Sequence, residues 1–552
     1  MTNKEIARTF QFLGNIMELH DENPFKIRSY QNAYITLRKL DQPLSEMTDA
    51  EIGKIKGVGK AIVGKIRELL DGGKMATLER YKADTPDGIQ EMLGIKGFGP
   101  KKIKAIWKEL EIQSIGELLY AVNENRLIEL NGFGQKTQED LKQKLEYFQL
   151  SKNKYHYANL EGPALSLMEQ LQDLLPGVEI SQTGALRRKE NEVTSIDLLI
   201  GKKDLTPDTF ASLLEAIEVK ENGIIGKTKE GQAVSIFLCE AAAFGSKLFR
   251  YTANTDFLDA FVKAFPGQDF SNLATEAAVF EQAGLPYVEP ELREQAWALD
   301  LAQANKLPEL VELSDLKGVL HNHSTYSDGL HSLRDMAIYT KEQGYEYLGM
   351  SDHSKSAFYA NGLQVERVYE QMKEIDQLNQ ELAPFRVFKS IESDILNDGS
   401  LDYDKDVLKD FDFVIASVHT NLRMDEAKAT QRLITAIENP FTRILGHPTG
   451  RLLLSRKGYP IDHKKVIDAC AENGVAIELN ANPYRLDIDW TWIPYALEKG
   501  VLISVNPDAH SKEGIHDMHF GVLSARKGGL SAAECLNAKS LGAFEKWLVT
   551  DR

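Results

Sequence analysis

Cysteine is scarce in this sequence, and so are long apolar runs. The 552 residues contain three cysteines, Cys239, Cys470 and Cys535, with no CxxC pair among them. Isolated thiols of this kind are typical of a reducing compartment rather than of a disulfide-bonded secreted protein. No apolar run reaches the roughly 18 residues of a membrane span, and the N-terminus lacks the apolar segment of a signal peptide. The sequence therefore predicts a cytoplasmic protein with no membrane partner.

Positive charge is also in deficit. Lys and Arg number 65 against 82 Asp and Glu, which gives a net charge of −17 and excludes a nonspecific polycation. Residues 1–150 are nevertheless balanced, with 23 basic and 22 acidic side chains, so the remainder carries 42 against 60. A neutral N-terminal part on an acidic chain favours nucleic-acid contact through local patches. The length predicts several domains, each with its own core.

Histidine, in contrast, is concentrated in one part of the chain. Ten of the twelve histidines lie between His321 and His519, and His321 and His323 follow an apolar lead-in. Residues two apart on a β-strand share a face, so these two side chains can bind one metal ion. An H-x-H pair alone is a weak signal, but the clustering indicates a metal site.

Downstream of His323, short apolar runs recur and end near potential metal ligands. Runs that begin at residues 347, 387, 413, 444, 475 and 501 lead to His353, Glu392, His419, His447, Asn480 and Asp508. Stretches with helical spacing separate them, at 333–343, 365–382, 427–437 and 464–472. This alternation predicts a parallel sheet that closes into a seven-stranded barrel, with its chemistry where the strands end.

The N-terminal part contains a threefold repeat. Segments 55–60, 95–100 and 130–135 share an apolar-x-Gly-apolar-Gly core, and a Lys-containing amphipathic helix follows each one. The glycines permit a tight turn, and the helix N-terminus presents N–H groups to a DNA phosphate. This helix-hairpin-helix pattern predicts sequence-independent DNA binding; hairpins that only pack on one another are the alternative. The predicted DNA contacts are Gly57, Gly59, Lys60, Lys65, Gly97, Gly99, Lys101, Gly132 and Gly134.

Together with the segments 23–30 and 285–294, these motifs make the chain resemble the bacterial family X DNA polymerases that carry a C-terminal polymerase-and-histidinol-phosphatase (PHP) domain. Segments 178–188 and 193–200 are predicted to be paired strands. The resemblance covers essentially the whole chain. It implies a helix-hairpin-helix, lyase-like domain at 1–80 and a fingers-like region at 81–150. An α+β nucleotidyltransferase-like palm and thumb at 151–300, a linker at 301–317 and an α/β distorted (β/α)7 PHP barrel at 318–552 would follow.

The resemblance also implies a ligand set for up to three divalent metal ions. One site would comprise His321, His323, Glu392 and Asp508. Glu392 would bridge to a second site with His419 and His447, and a third would comprise Asp328, His353 and His510. Imidazoles and carboxylates suit zinc or manganese. Glu392, Asp508, His419 and Arg451 are the expected catalytic residues, with Tyr484 and Arg485 as further candidates for holding the phosphate.

The polymerase site departs from the family pattern. The family's Gly-Ser reads Gly184-Ala185 here, its Asp-x-Asp reads Ser195-Ile196-Asp197, and its third carboxylate falls at Ser235. Two-metal phosphoryl transfer needs several carboxylates on one face, and Asp197 alone makes a poor Mg²⁺ site. The palm is therefore predicted to be degenerate, still holding DNA through Arg187 and Arg188. Magnesium is expected only if the polymerase module is active.

Lys65 aligns with the Schiff-base lysine that eukaryotic members of the family use to excise deoxyribose phosphate. A lysine on a DNA-facing helix can equally contact a phosphate, and this phosphate contact is the favoured interpretation.

The function predicted from all these features is a DNA-binding, metal-dependent phosphodiesterase in DNA repair. It would act as a 3′-5′ exonuclease or abasic-site endonuclease on gapped, nicked or 3′-ended DNA. A working gap-filling polymerase with a PHP exonuclease and a noncatalytic DNA-binding scaffold are the alternatives. A small-molecule phosphatase would leave the three hairpins without a role.

Overall fold

A computed structural model describes residues 1–40, 42–95, 98–127, 130, 133–150, 154–221 and 223–549, with backbone only for 135, 143 and 146–150. These residues form two compact units, Met1–Glu146 and Tyr147–Arg552. The finer domain boundaries predicted from the sequence remain predictions. No helix in the described ranges is long and apolar enough to cross a membrane.

The first unit is helical, as predicted. Helix α1 begins at a capping box in which Thr2 and Glu5 satisfy each other's backbone N–H groups, and it buries Ile6, Phe10 and Leu13. In the described part of this unit, the α-helices have the bounds α1 Asn3–Leu19, α2 Pro24–Leu37, α3 Asp49–Ile52, α4 Lys60–Gly72, α5 Ala76–Ala83, α6 Asp87–Met92, α7 Pro100–Glu109, α8 Ile115–Asn123 and α9 Gln135–Leu150. The last of these continues four residues past the boundary between the units.

The second unit begins with a mixed sheet and helices, which we call the middle region (residues 154–303). Its strands are β1 Tyr155–His156, β2 Ile180–Gln182, β3 Glu192–Val193, β4 Ile196–Ile200, β5 Glu215–Lys220, β6 Gly223–Lys227 and β7 Ala233–Leu238. Five of them form a sheet in the order β2-β4-β7-β6-β5. Its helices are α10 Tyr157–Leu174, α11 Gly184–Arg187, α12 Phe244–Thr252, α13 Thr255–Ala264, α14 Glu276–Gln282 and α15 Trp297–Gln303.

The predicted pairing of segments 178–188 and 193–200 is confirmed where β2 pairs with β4, but the strand does not continue to residue 188. Only β2 is extended, and the chain turns at Gly184 into the short helix α11. Gly184 has φ +63°, and a Cβ there would lie 2.8 Å from Asp197 Oδ2, so the turn requires glycine. Arg187 and Arg188 consequently lie at the end of a helix and not along a strand.

The C-terminal part of the second unit is the predicted parallel barrel. Its strands are β8 Gly318–Val319, β9 Tyr347–Met350, β10 Arg386–Asp394, β11 Phe413–Ser417, β12 Thr442–Leu445, β13 Ala476–Asn480 and β14 Ile503–Asn506. All seven follow one another in chain order within one sheet, and each pairs in parallel with its neighbour. A parallel bridge between Asn322 and Ala509 links the segments that leave β8 and β14, so the barrel is nearly closed.

Helices cover the outside of the barrel and one of its ends. They are α16 Leu333–Glu342, α17 Val365–Leu382, α18 Lys405–Leu408, α19 Glu426–Ile437, α20 His463–Glu472, α21 Ile493–Glu498, α22 Met518–Lys527 and α23 Leu541–Leu548. Phe544 of α23 stacks on Tyr347 and packs against Phe413, which are the first residues of β9 and β11. An apolar plug thus fills the N-terminal end of the barrel, and polar residues gather at the opposite end.

Candidate metal centre and nucleic-acid interface

The nine predicted ligands meet at the C-terminal end of the barrel strands. Glu392 is central, because its Oε1 lies 2.9 Å from His447 Nε2, 3.1 Å from His419 Nε2 and 3.4 Å from His321 Nε2. Its other oxygen, Oε2, lies 2.9 Å from His353 Nδ1. A carboxylate that faces four imidazoles can be shared between neighbouring metal ions.

The remaining ligands complete the cluster on either side of Glu392. Asp508 Oδ1 lies 2.9 Å from His323 Nε2 and 3.5 Å from His321 Nε2. Asp328 lies 3.5 Å from His353 Nε2 and 3.4 Å from His510 Nε2. Among the nine predicted ligands, three sets place their ligand atoms within 4.8 Å of one another: His321, His323 and Asp508; His353, Glu392 and His419; His323, Asp328, His353 and His510. Each set shares two or more members with a predicted site.

Strand geometry explains the convergence. Glu392 and Asp394 are two apart on β10 and therefore face the same way, as do Glu478 and Asn480 on β13. Parallel strands end on the same rim, so ligands far apart in sequence become neighbours. Asp508 follows β14 in the left-handed backbone region, with φ +53°. Such a φ is uncommon for a residue other than glycine and turns the chain back over the cluster.

Three histidines are held with one ring nitrogen outward and the other toward the cluster. His321 Nδ1 donates to Glu478 Oε2 at 2.8 Å, and His510 Nδ1 donates to the Asp508 carbonyl at 3.0 Å. His419 Nδ1 donates to Asp394. Each Nε2 then faces the carboxylates of the cluster, which is the orientation that outer carboxylates and carbonyls impose on metal-binding imidazoles.

The cluster also fits a metal ion because several of its buried ligand atoms have no hydrogen-bond partner among the described residues. His321 Nε2, His323 Nδ1, His353 Nε2 and Glu392 Oε2 are buried, and none makes a hydrogen bond within the described part of the chain. Buried polar atoms normally have partners, so this concentration of orphaned ligand atoms indicates that a cation completes the site. The donor set of imidazoles and carboxylates suits zinc or manganese.

Burial and the neighbouring charges shift the pKa values of these groups, and for His321 and Glu392 the two effects oppose each other. Burial alone would lower the pKa of His321, but Glu478, Asp508 and Glu392 raise it well above its ordinary value. Burial raises the pKa of Glu392, but the imidazoles of His419, His321 and His353 hold it well below its usual range. Burial, with His510 and His353, lowers the pKa of His323 to about 3. Glu392 is therefore an anion, and His323 a neutral ligand, at neutral pH.

Glu478 and Asp394 were missed by the sequence reasoning. Glu478 is fully buried and also accepts from the His447 backbone N–H and from Asn506. A carboxylate inside an otherwise apolar strand was the available signal, because a buried charge needs partners. Asp394 was detectable from its two-residue spacing to Glu392.

The predicted phosphate-holding residues lie in different places. Arg485 is buried, and its guanidinium lies 3.3 Å from Asp508 Oδ2. Arg451 instead donates to the Arg485 carbonyl at 3.0 Å and pairs with Asp489, so it secures the segment that carries Arg485. Tyr484 packs edge-on against His156 of the middle region, with ring centroids 4.6 Å apart. The predicted catalytic role of Arg451 remains a prediction.

The middle region holds the predicted degenerate polymerase site. Ser195 Oγ donates to Asp197 Oδ1 at 2.6 Å, and Ser235 is the partner of Asp197 in the β4–β7 register. Burial raises the pKa of Asp197, although the hydrogen bonds from Ser195 and Ser235 partly oppose it. Across the described ranges, no set of three potential ligands includes Asp197. Ala185 is half-buried.

Arg187 and Arg188 are engaged in ion pairs inside the middle region. Arg187 binds both oxygens of Glu276 at 2.7 Å each, and Arg188 Nε lies 2.9 Å from Glu294. Both guanidiniums are mostly buried, with 17% and 11% of the side chain exposed. They hold α11 against α14 and the segment after it, and their predicted contact with DNA remains a prediction.

The helix-hairpin-helix glycines in the first unit precede helices as predicted. Gly59 is the N-cap of α4, Gly99 is the N-cap of α7 and Gly134 directly precedes α9. A Cβ at any of the three would meet no atom within 4 Å, so the backbone is open to close approach from outside. Gly57 has φ +87°. Gly97 and Gly132 lie outside the described residues.

Three predicted lysine contacts lie beside these helix starts. Lys60 and Lys101 are exposed in the first turns of α4 and α7. Lys65 is half-buried, and its Nζ donates to Thr77 Oγ1 at 2.5 Å. Burial lowers the pKa of Lys65.

A seven-stranded barrel with a buried His/Asp/Glu cluster, in a chain with tandem helix-hairpin-helix turns, defines a metal-dependent phosphoesterase class with a DNA-binding module. Family comparisons agree: residues 1–75 match a helix-hairpin-helix domain, 89–146 a SAM-like helix-hairpin-helix tandem and 320–482 the PHP domain. The chain is 35% identical to the "DNA polymerase/3'-5' exonuclease PolX" of Bacillus subtilis (strain 168), over 99% of both chains. It belongs to the bacterial family X DNA polymerases with a PHP domain.

Shorter relatives match the barrel. A "Probable phosphatase" of Thermoanaerobacter sp. (strain X514) is 26% identical over 41% of this chain and 92% of its own length. A second, from Caldanaerobacter subterraneus subsp. tengcongensis, is 34% identical over 22% of this chain and 50% of its own. The barrel therefore also occurs apart from the helix-hairpin-helix and middle regions.

Proposed function

We propose that this protein is a DNA-binding, metal-dependent phosphodiesterase that removes nucleotides from 3′ ends or cleaves at abasic sites during DNA repair. The observation that carries the proposal is the convergence of nine buried ligands around Glu392, in a chain that also presents open helix-hairpin-helix turns. The Bacillus subtilis relative bears the name of a 3′-5′ exonuclease, which supports the polarity. Gapped, nicked or 3′-ended DNA is the proposed substrate.

Divalent ions, when bound, would supply Lewis-acid charge and an activated water for attack on the phosphodiester. The chain's own residues prepare the site. Glu478, Asp394 and the Asp508 carbonyl hold protons at the outer nitrogens of His321, His419 and His510, which keeps the inner nitrogens as acceptors. Arg485 places a fixed positive charge beside Asp508, where it can stabilise the phosphate.

The middle region serves, in this proposal, as a scaffold without polymerase activity. A single half-buried carboxylate between two serine hydroxyls cannot offset the charge of two Mg²⁺ ions. Its ion pairs with the barrel support a structural role: Arg526 lies 3.0 Å from Glu291, and the fully buried Lys527 pairs with Glu294.

The test is cleavage of a 5′-labelled single strand, a gapped duplex and an abasic-site duplex, each with Mn²⁺ or Zn²⁺ and with a chelator. A ladder that shortens from the 3′ end, or a single cut at the abasic site, is expected with metal and absent with chelator. DNA binding without cleavage would support a scaffold instead. Hydrolysis of p-nitrophenyl phosphate without cleavage of DNA would support a small-molecule phosphatase.

A further inference from the structure

A phenylalanine lies exposed in the segment that follows the metal ligand His353. Among the phenylalanines whose side chains the structure describes, only Phe25 and Phe358 are exposed, and Phe358 belongs to the barrel with 75% of its surface accessible. Its segment, residues 354–362, directly follows the ligand His353. Two ring-to-ring steps lead from the ligand to the surface: 6.4 Å from His353 to Tyr359, and 5.7 Å from Tyr359 to Phe358.

The segment that presents Phe358 is firmly held. Leu363 N–H donates to the His353 carbonyl at 2.9 Å, and Gly362 N–H donates to the Ala357 carbonyl at 3.0 Å. Ala357 and Ala360, on either side of the aromatic pair, are buried. A Cβ at Gly362 would lie 2.0 Å from the Ser354 carbonyl, so the return of the chain requires glycine. The exposed ring therefore projects from a packed base.

A cleft adjoins the same segment. It has a volume of about 550 Å³, and its lining residues are Ser356, Leu396, Asn397, Asp398, Thr420 and Asn421. Ser356 Oγ donates to Asp394 at 2.8 Å, and Asp394 accepts from the ligand His419, so the cleft adjoins the cluster. Its volume lies in the range of small-ligand sites, and its amides can hydrogen-bond a sugar or a base edge.

We propose that Phe358 and this cleft form a subsite for a nucleotide next to the scissile phosphate, with Phe358 stacked on its base. The proposal rests on the phosphodiesterase function and narrows its substrate to a strand end with unpaired bases. A base inside a duplex is covered on both faces by its neighbours, whereas an unpaired base of any kind can stack on an aromatic side chain. The exposed Lys355, two residues after His353, lies on the same segment and adds a positive charge for the backbone.

The experiment pairs Phe358→Ala with thymidine tetranucleotides in which one base at a time is replaced by 5,6-dihydrothymine, whose ring is not aromatic. On the intact strand, Phe358→Ala is expected to raise KM at least about five-fold with little change in kcat, because one stacked base is lost. At one position the dihydrothymine substitution and Phe358→Ala are expected to be non-additive, which identifies the stacked base. Phe358→Trp should restore KM. Val549→Ala, at an apolar position of the barrel unit with 80% exposure, is the matched control and should leave KM unchanged.

An unchanged KM in Phe358→Ala, or additive effects at all four positions, would overturn the proposal. If the wild type cleaves no DNA, the proposed function fails, and the same cycle is measured as Kd by fluorescence anisotropy with labelled strands. Coupling between the ring and one base in Kd would then support the subsite, and its absence would reject it.

Discussion

Two carboxylates of the second unit, Asp197 and Glu392, have surroundings that shift their pKa values in opposite directions. Asp197 accepts from the hydroxyl of Ser195, and its partial burial raises its pKa against the smaller opposing effects of Ser195, Ser235 and Arg188. Glu392 is also buried, but the imidazoles around it hold its pKa well below the usual range. Burial alone therefore does not make a metal site. The groups that face the carboxylate decide whether it stays ionised and available.

Primer extension tests the Asp197 site and should show the largest difference in activity between the two sites. On a one-nucleotide gap with Mg²⁺ or Mn²⁺, we expect no template-directed addition, because Ser195 and Ser235 cannot replace metal-binding carboxylates. The protein should carry Glu392→Gln so that degradation does not mask synthesis. Robust extension would show that another acid completes the site. The double variant Ser195→Asp, Ser235→Asp in the same background tests whether the two carboxylates suffice to restore weak activity.

The substitution Glu392→Gln tests the candidate metal centre around Glu392. The substitution keeps the shape but removes the charge that faces four imidazoles, so nuclease activity should fall by about three orders of magnitude. DNA affinity, measured by anisotropy, should change little because the helix-hairpin-helix turns are untouched. Glu472→Gln, at an exposed position on α20, is the control and should retain full activity. Wild-type activity in Glu392→Gln would reject the assignment of the centre.

Glu478→Gln should have a smaller effect of the same kind. Glu478 fixes the orientation and tautomer of His321, and losing such a partner typically lowers metal affinity by about 10- to 100-fold. Metal content after dialysis against a graded chelator, and activity at saturating metal, separate the two contributions. Activity restored by excess metal is expected. Unchanged metal affinity would mean that Glu478 is only a core residue.

Glu276→Gln tests whether the middle region's own ion pairs are structural. Burial would raise the pKa of Glu276, but Arg187 and Arg293 lower it to about 2 from an ordinary value of 4.5. A depressed carboxyl pKa stabilises the fold above pH about 4.5, and this contribution is lost as the pH falls toward about 2. The free energy of unfolding should therefore drop by about 3 kcal/mol in the variant at neutral pH, from the size of that shift.

Denaturant unfolding of the wild type and of Glu276→Gln, measured between pH about 7 and pH about 3, tests this pH dependence. The difference between wild type and Glu276→Gln should shrink as the pH falls. A constant difference across that range would assign the loss to packing instead of charge. Glu381→Gln, which removes an exposed pair with Arg334, should show no measurable change at any pH.

Much of the barrel could be predicted from the sequence because its signals are local. The helix predicted at 365–382 matches α17 residue for residue, and those at 427–437 and 464–472 begin one residue later than α19 and α20. The strand ends carried the ligands in order, so their convergence followed from the rule that parallel strands finish on one rim. The strand predicted over 178–188 ends early because Gly184, with φ +63°, turns the chain into α11.

The sequence by itself determined the architecture and the donor set: period, strand order and residue type specify a barrel rim lined with imidazoles and carboxylates. Only the tertiary structure decided which charges neutralise one another. Glu478 at His321, Asp394 at His419, and Arg187 in an ion pair with Glu276 are contacts between elements far apart in the chain. A buried polar atom must find its partner in space. Sequence spacing cannot name that partner until the strands are paired and the helices packed.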